Sequence, residues 1–163
     1  MNRASTTRSA EETVQVGMSL AQELRRGDFV AIRGELGSGK THLVKGIAKG
    51  LGVAEAATSP TFVILNRYSG RDRESGELFL YHLDLYRVRN LSEIYDLGFE
   101  EFSHGDGVCV VEWADALGPL LPQRRYDISL SFGPTLNERL IRIDAVDRSG
   151  DSGAPSIRRH VQS

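Results

Sequence analysis

Gly34-Glu35-Leu36-Gly37-Ser38-Gly39-Lys40-Thr41 follows a short apolar run and opens a helical stretch. The pattern is Gly, four residues, Gly, Lys, Thr: a phosphate-binding loop, or P-loop. Gly34, Gly37 and Gly39 allow backbone angles and close approach that a Cβ forbids, so successive N–H groups can turn toward phosphate oxygens. Lys40 has the reach for β and γ phosphates, Thr41 has a hydroxyl to offer Mg²⁺, and the N-terminus of the following helix sets partial positive charge beneath the anion. At average residue usage the pattern arises by chance in roughly one chain in a hundred of this length. Composition adds weight. The chain has seventeen Arg and only three Lys, at 40, 45 and 49. One of those three stands where a compact ammonium is needed rather than a planar guanidinium.

The context of the loop agrees. Asp28-Phe-Val-Ala-Ile-Arg33 is almost wholly apolar, as in a strand buried on both faces, and Thr41 to Leu51 reads as a helix ended by Gly52. Strand, glycine loop and helix follow one another as a P-loop requires. A dinucleotide fingerprint fails, because Gly37 and Gly39 would need a small residue at 42, where His42 stands. The nucleotide-binding positions are therefore Glu35, Leu36, Gly37, Ser38, Gly39, Lys40, Thr41 and His42.

With 163 residues and 40% hydrophobic composition, one core of ordinary size is expected. We assign 1–146 to a single domain. From Asp147 the chain turns to Ser, Gly, Asp and Arg without apolar periodicity, which predicts a disordered polar tail over 147–163. A formal charge of −2 argues against a protein whose affinity comes from neutralising nucleic-acid phosphates, so any RNA contact is expected to be indirect or local. The single Cys109 lies in an apolar run, which excludes an internal disulfide framework and a cysteine zinc site. The first nine residues lack the apolar stretch of a secretory signal, and no run approaches eighteen apolar residues. A soluble, cytoplasmic protein without a membrane role is expected.

Ser9 stands three residues before Glu12, a capping-box spacing, and Val14, Met18, Ala21 and Leu24 recur at helical intervals until Arg25-Arg26-Gly27. Phe62 to Tyr68 and Leu78 to Leu83 read as strands joined by polar Ser69 to Gly76, a hairpin. Leu91 to Leu97 reads as a helix capped by Asn90 or Ser92, and Gly107 to Trp113 as a buried strand. Ala114 to Leu121 reads as helical until Pro122. Tyr126 to Phe132 and Arg139 to Ile143 read as an antiparallel pair about Gly133-Pro134.

Turnover at a P-loop also needs a carboxylate on a neighbouring strand, and a group that orients the nucleophile. Two apolar strands end in an acid: Leu78-Phe-Leu-Tyr-His-Leu-Asp84 and Val108-Cys-Val-Val-Glu112. Both carboxylates are predicted at the carboxyl edge of the sheet beside the P-loop, and either suits the metal side. Ser59-Pro60-Thr61 reads from composition as an ordinary Ser-Pro turn. Trp113 either closes a core or lies at the surface beside Glu112. His82 reads as a packed, hydrogen-bonded strand residue, and no nucleophile-and-base constellation is present.

Taken in order, Gly-Glu-Leu-Gly-Ser-Gly-Lys-Thr at 34–41, Ser-Pro-Thr-Phe at 59–62, His-Leu-Asp-Leu-Tyr-Arg at 82–87 and Glu-Trp at 112–113 resemble the bacterial TsaE (YjeE) ATPases, over roughly residues 10–145. The resemblance implies an α/β fold, a P-loop NTPase-type three-layer sandwich with a mixed, mainly parallel central sheet plus an antiparallel pair. It implies ATP and Mg²⁺ as cofactors and weak hydrolysis raised by two partners, TsaB and TsaD. TsaD would place the threonylcarbamoyl group on adenosine 37 of tRNA, so that tRNA is met indirectly; the isolated chain is expected to be a monomer. Carried over, Lys40 binds phosphate, Thr41 and Glu112 lie nearest Mg²⁺, and Asp84 is the Walker B acid. Ser59 and Thr61 become a first switch, against the reading from composition, and Trp113 belongs to a second switch and the partner surface. The chain departs from the family at His42, where a second Thr is common, and at Ala114, where Pro is common.

Two rival functions fit the same loop: a small-molecule kinase, for which Arg71, Arg73, Arg87 and Arg89 are the available lid cations, and a nucleotide-dependent binding module without turnover. Thr13, near the first helix, is the one candidate for the adenine side.

Overall fold

The computed structural model describes residues 2–54, 65–72, 76–103 and 105–148. Asp28 to Gly34 behaves as its composition predicts. Strand β2 (Phe29–Gly34) is central in a seven-stranded sheet, its first four residues buried. Strand period 2 then sorts the core: Val30 and Ile32 face one apolar cluster, Phe29 and Ala31 the other.

The other elements are β1 (Asn2–Thr7), α1 (Ala10–Ala21), α2 (Lys40–Gly50), β3 (Leu65–Asp72), β4 (Gly76–Asp84), α3 (Leu91–Asp96), α4 (Phe99–Ser103), β5 (Val108–Glu112), a 3₁₀ segment (Ala114–Leu120), β6 (Arg124–Phe132) and β7 (Arg139–Asp147). The sheet order is β1-β7-β6-β2-β5-β4-β3. Strands β6, β2, β5 and β4 are mutually parallel, and β3, β7 and β1 add antiparallel edges. One cluster includes residues of α1 and α2, the other residues of α3, α4 and the 3₁₀ segment. The fold is the three-layer α/β sandwich expected.

Helix α1 starts where the capping signal lies, with the Glu12 N–H donating to Ser9 Oγ at 3.1 Å and the Arg8 N–H donating to Glu12 Oε1 at 2.7 Å. It ends at Ala21, earlier than Arg25-Arg26-Gly27 suggested. The reason is a competing turn: the Asp28 carboxylate accepts the Arg25 N–H at 2.8 Å while the Asp28 N–H donates to the Arg25 carbonyl at 3.0 Å. Its buried face is Thr13, Gly17, Leu20 and Ala21 rather than the Val14 and Met18 stripe. Close approach to α2 explains the shift. A Cβ on Gly17 would stand 2.3 Å from the Leu43 carbonyl oxygen, and one on Gly46 would stand 2.0 Å from that of Val14.

Strand β1 was not expected from the sequence. Its polar residues show no apolar alternation, and it is held by ladder pairing to β7 from Asn2↔Asp144 to Thr7↔Arg139. The hairpin of β3 and β4 pairs as far as Asp72↔Gly76, so most of the expected eight-residue connection is strand. Helix α4 was also not expected, and Asn90 rather than Ser92 caps α3 in a capping box with Glu93. The expected helix over 114–121 is a 3₁₀ segment, Ala114–Leu120, kinked at Gly118. Strand β6 pairs with β7 as predicted and is also parallel to β2. The ladder runs to Asp147, one residue past the assigned boundary, and the expected tail beyond residue 148 lies outside the described residues. Among the described residues no helix is long and apolar enough to cross a membrane.

Candidate nucleotide-binding site

The register places the two acids side by side. Asp84 pairs with Glu112 across β4 and β5, and Glu112 pairs with Ile32, two residues before Gly34 opens the loop. Residues 80, 108 and 110 face the α1 and α2 layer, so alternation puts 82, 84 and 112 on that same side. Thr41 Oγ1, in the first turn of α2, lies 3.5 Å from Glu112 Oε1.

The loop has the conformations its glycines allow. Gly37 and Gly39 have φ of 82° and 106°, left-handed values that favour glycine. Gly34 is there for space: a Cβ would stand 2.5 Å from Ser38 Oγ and 2.8 Å from the Leu130 carbonyl oxygen. Ser38 is fully buried, and its hydroxyl has no hydrogen-bond partner among the described residues. Lys40 Nζ donates to the carbonyls of Gly34 and Glu35 at 2.6 and 2.9 Å. It also lies 4.0 Å from the centroid of Trp113.

A cavity of about 430 Å³ opens above these groups, within the usual range for small-molecule sites. Leu36, Gly37, Gly39, Lys40, Thr41 and His42 form its floor, and Asp84, Tyr86, Glu112 and Trp113 one wall. Ser9, Ala10, Thr13, Asn137 and Arg139 complete its lining. Thr13 therefore belongs to the site, although its hydroxyl is shared with Thr7 at 2.8 Å. Glu35 and Ser38 belong to the loop but not to the lining of the cavity. Ser59 and Thr61 lie outside the described residues, as does Arg73.

Burial shapes the charges. It pulls the Lys40 ammonium below its ordinary pKa, against the opposing pull of Glu112 and then Asp84. Burial also raises Asp84, where an N–H from Tyr86 at 3.1 Å works the other way and the Glu112 charge adds to the rise. One cation and two acids thus share a partly desolvated cleft. That arrangement suits a ligand bringing its own negative charge together with a cation. Among the described residues no group of three or more His, Cys, Asp or Glu could hold a metal. A Mg²⁺ here fits only as Mg²⁺ usually binds, through one or two protein oxygens, phosphate and water. Thr41, Glu112 and Asp84 are the residues that would supply that partial set.

Several residues of the site carry no sign of it in the sequence, or a different one. His82 is indeed packed and hydrogen-bonded, but its partner is Glu112 Oε2 at 2.7 Å, inside the site. Ser9 reads from the sequence only as a helix cap, and it also lines the cavity. Arg139, whose Nη2 donates to the Gly37 carbonyl at 3.4 Å, and Asn137 gave no signal, because the β7 end reaches the loop only through sheet order. Trp113 takes φ 59° and ψ 43°, the only positive φ outside glycine among the described residues. A large side chain pays strain there, a feature that clusters at functional sites.

Comparison with known proteins adds the following. The family model described as "Threonylcarbamoyl adenosine biosynthesis protein TsaE" matches residues 7–140. The tRNA threonylcarbamoyladenosine biosynthesis protein TsaE of Treponema pallidum is 43% identical over 124 residues, 76% of this chain and 87% of that one. The Bacillus subtilis protein of that name is 39% identical over 154 residues, 94% of this chain and 92% of its own. A crystal structure of Bacillus subtilis YdiB superposes with a TM-score of 0.71 at 33% identity, covering 99% of this chain and 97% of that one.

Proposed function

Because this chain belongs to the TsaE family, which serves tRNA threonylcarbamoyladenosine biosynthesis, we propose that it binds ATP with Mg²⁺ and hydrolyses it slowly as one subunit of a tRNA-modifying complex. The observation that carries the reading is the pairing of Asp84 with Glu112 on the α2 side of the sheet, with Thr41 Oγ1 3.5 Å from Glu112 Oε1. Two acids, a hydroxyl and a P-loop lysine then converge where the last phosphates of a nucleotide would lie.

Each residue has a distinct task in this reading. Loop N–H groups from Gly37 to Thr41 cradle the phosphates, and Lys40 leaves the Gly34 and Glu35 carbonyls to pair with them. Mg²⁺, when bound, would supply positive charge against the negative charge that builds on the phosphates. Thr41 and Glu112 would hold it, with Asp84 beside them, and one of the two acids would orient the attacking water. Ser59 and Thr61 read the last phosphate as a switch, and Trp113, beside the acids, passes the nucleotide state to a partner. The partners are TsaB and TsaD; TsaD transfers the threonylcarbamoyl group to adenosine 37, and tRNA touches this chain only through the complex. In isolation the chain is a cytoplasmic monomer.

The test is ATP hydrolysis by the purified chain, alone and with cognate TsaB and TsaD. Slow turnover that rises with both partners, and a rise abolished by Lys40→Ala, is the expected result. Phosphorylation of a small metabolite with no response to the partners would instead identify a kinase. Turnover that stays slow under every condition would identify a binding module.

A further inference from the structure

We propose that His82 is a positioning residue: it clamps one oxygen of Glu112 so that the other is held toward Thr41 and the nucleotide's metal. The inference rests on the Mg²⁺ and ATP reading above. It adds a residue outside the loop, the two acids and the switch segments.

The geometry follows from the ladder. His82 pairs with Val110, so Glu112 lies two residues further along the neighbouring strand on the same face. From there the imidazole reaches diagonally, and Nε2 meets Glu112 Oε2 at 2.7 Å. A carboxylate oxygen only accepts, so Nε2 carries the hydrogen. The other oxygen, Oε1, stands 3.5 Å from Thr41 Oγ1. Glu112 is thus held between two elements, one oxygen addressed to β4 and one to the first turn of α2. Both side chains are almost wholly withdrawn from solvent, at 0% and 3% exposure, so water does not compete for the bond.

A histidine that merely fills the core explains less. Leu78 and Leu80 precede His82 on its face of β4, and a third apolar residue would continue that cluster without burying polar atoms. Instead Nδ1 is buried with no partner among the described residues, which costs solvation. The bond to Glu112 is what offsets that cost. Ligand carboxylates at metal sites are commonly held by such an outer hydrogen bond, and its loss typically weakens metal affinity or activity by 10–100-fold.

The test uses the full chain and a fluorescent ATP analogue, read by equilibrium binding while Mg²⁺ is titrated. His82→Leu is expected to melt near the wild type and to bind the analogue normally in EDTA. Its half-saturating Mg²⁺ is expected to rise by about 10–100-fold. His82→Gln, whose amide N–H can stand near the position of Nε2, should recover most of that loss. In a Glu112→Gln background His82→Leu should add almost nothing, since its effect passes through Glu112. Unchanged Mg²⁺ demand in His82→Leu overturns the inference. So does a loss that is equally large in EDTA or persists undiminished with Glu112→Gln, either of which marks a merely structural residue. If His82→Leu and the more adaptable His82→Met both fail to fold, His82 is a core residue and the inference falls. A wild type that binds the analogue with no response to Mg²⁺ would instead sink the proposed function, and this inference with it.

Discussion

Lys40 Nζ lies 4.0 Å from the centroid of Trp113, so the P-loop cation rests on the aromatic ring that follows Glu112. The same ring packs at 4.8 Å against Tyr86, which is 54% exposed at the mouth of the cleft. A triphosphate that attracts Lys40 therefore competes with a cation–π contact worth about 0.5–2 kcal/mol. On the proposed function, this contact would link nucleotide occupancy to the segment after β5.

Trp113 is the only tryptophan, so tryptophan emission reports the surroundings of this one ring, Lys40 among them. Adding ATP and Mg²⁺ should change the emission as the ammonium leaves the ring. Lys40→Ala should show the changed emission from the start and no response to nucleotide. A fluorescence titration of both proteins decides it, and an unchanged wild-type signal at saturating ATP would refute the link.

Asp84 is costly to the fold. Burial raises its carboxyl above the ordinary range, and the neighbouring Glu112 charge raises it further. Asp84→Asn removes that penalty and should melt at a higher temperature than the wild type at pH 7. If Asp84 serves the chemistry, the same change should lower partner-stimulated hydrolysis by at least tenfold. Calorimetry and a turnover assay on one preparation test both halves.

Asp28 gives the pH dependence. Burial lifts its pKa above 3.8 in the folded chain, against lowering by the Arg25 N–H and by the charges of Arg124 and Arg25. A raised acid binds its proton more readily when folded, so this group stabilises the chain below pH 3.8 relative to its effect at neutral pH. That advantage is lost as pH rises through the folded value. Asp28→Asn should therefore be no less stable than the wild type at pH 7, and its relative advantage should shrink as the pH is lowered toward 3.8. Urea midpoints across that range measure it, and an advantage that grows on acidification would contradict it.

Gly46→Ala should destabilise the chain by about 3 kcal/mol, near the upper end for overpacking, because its Cβ would stand 2.0 Å from the Val14 carbonyl oxygen. Lys49→Ala, on the exposed side of α2, should stay within about 0.5 kcal/mol. Chemical denaturation of both separates helix propensity from close packing, since alanine is the better helix former at each site.

Much of the site was legible along the chain. The P-loop, the strand before it and the helix after it follow from local chemistry: glycines where N–H groups must converge, an apolar run where both faces are buried, a lysine among arginines. Asp84 and Glu112 were legible as acids ending apolar strands, since strand direction alone sends such ends to one sheet edge. The ends of α1 were legible only in part. Its cap is a local hydrogen bond, while its stop depends on Asp28 taking the Arg25 N–H after the chain has turned.

What the sequence by itself determined is which groups exist and which edge of a parallel sheet they reach, because side-chain period and backbone propensity act over a few residues. The tertiary structure decided which groups meet. Sheet order brings Asn137 and Arg139 to a loop about a hundred residues earlier, register aligns Asp84 with Glu112, and a diagonal across two strands turns His82 from filler into the partner of Glu112. Those relationships depend on long-range pairing and packing, which no local window of residues encodes.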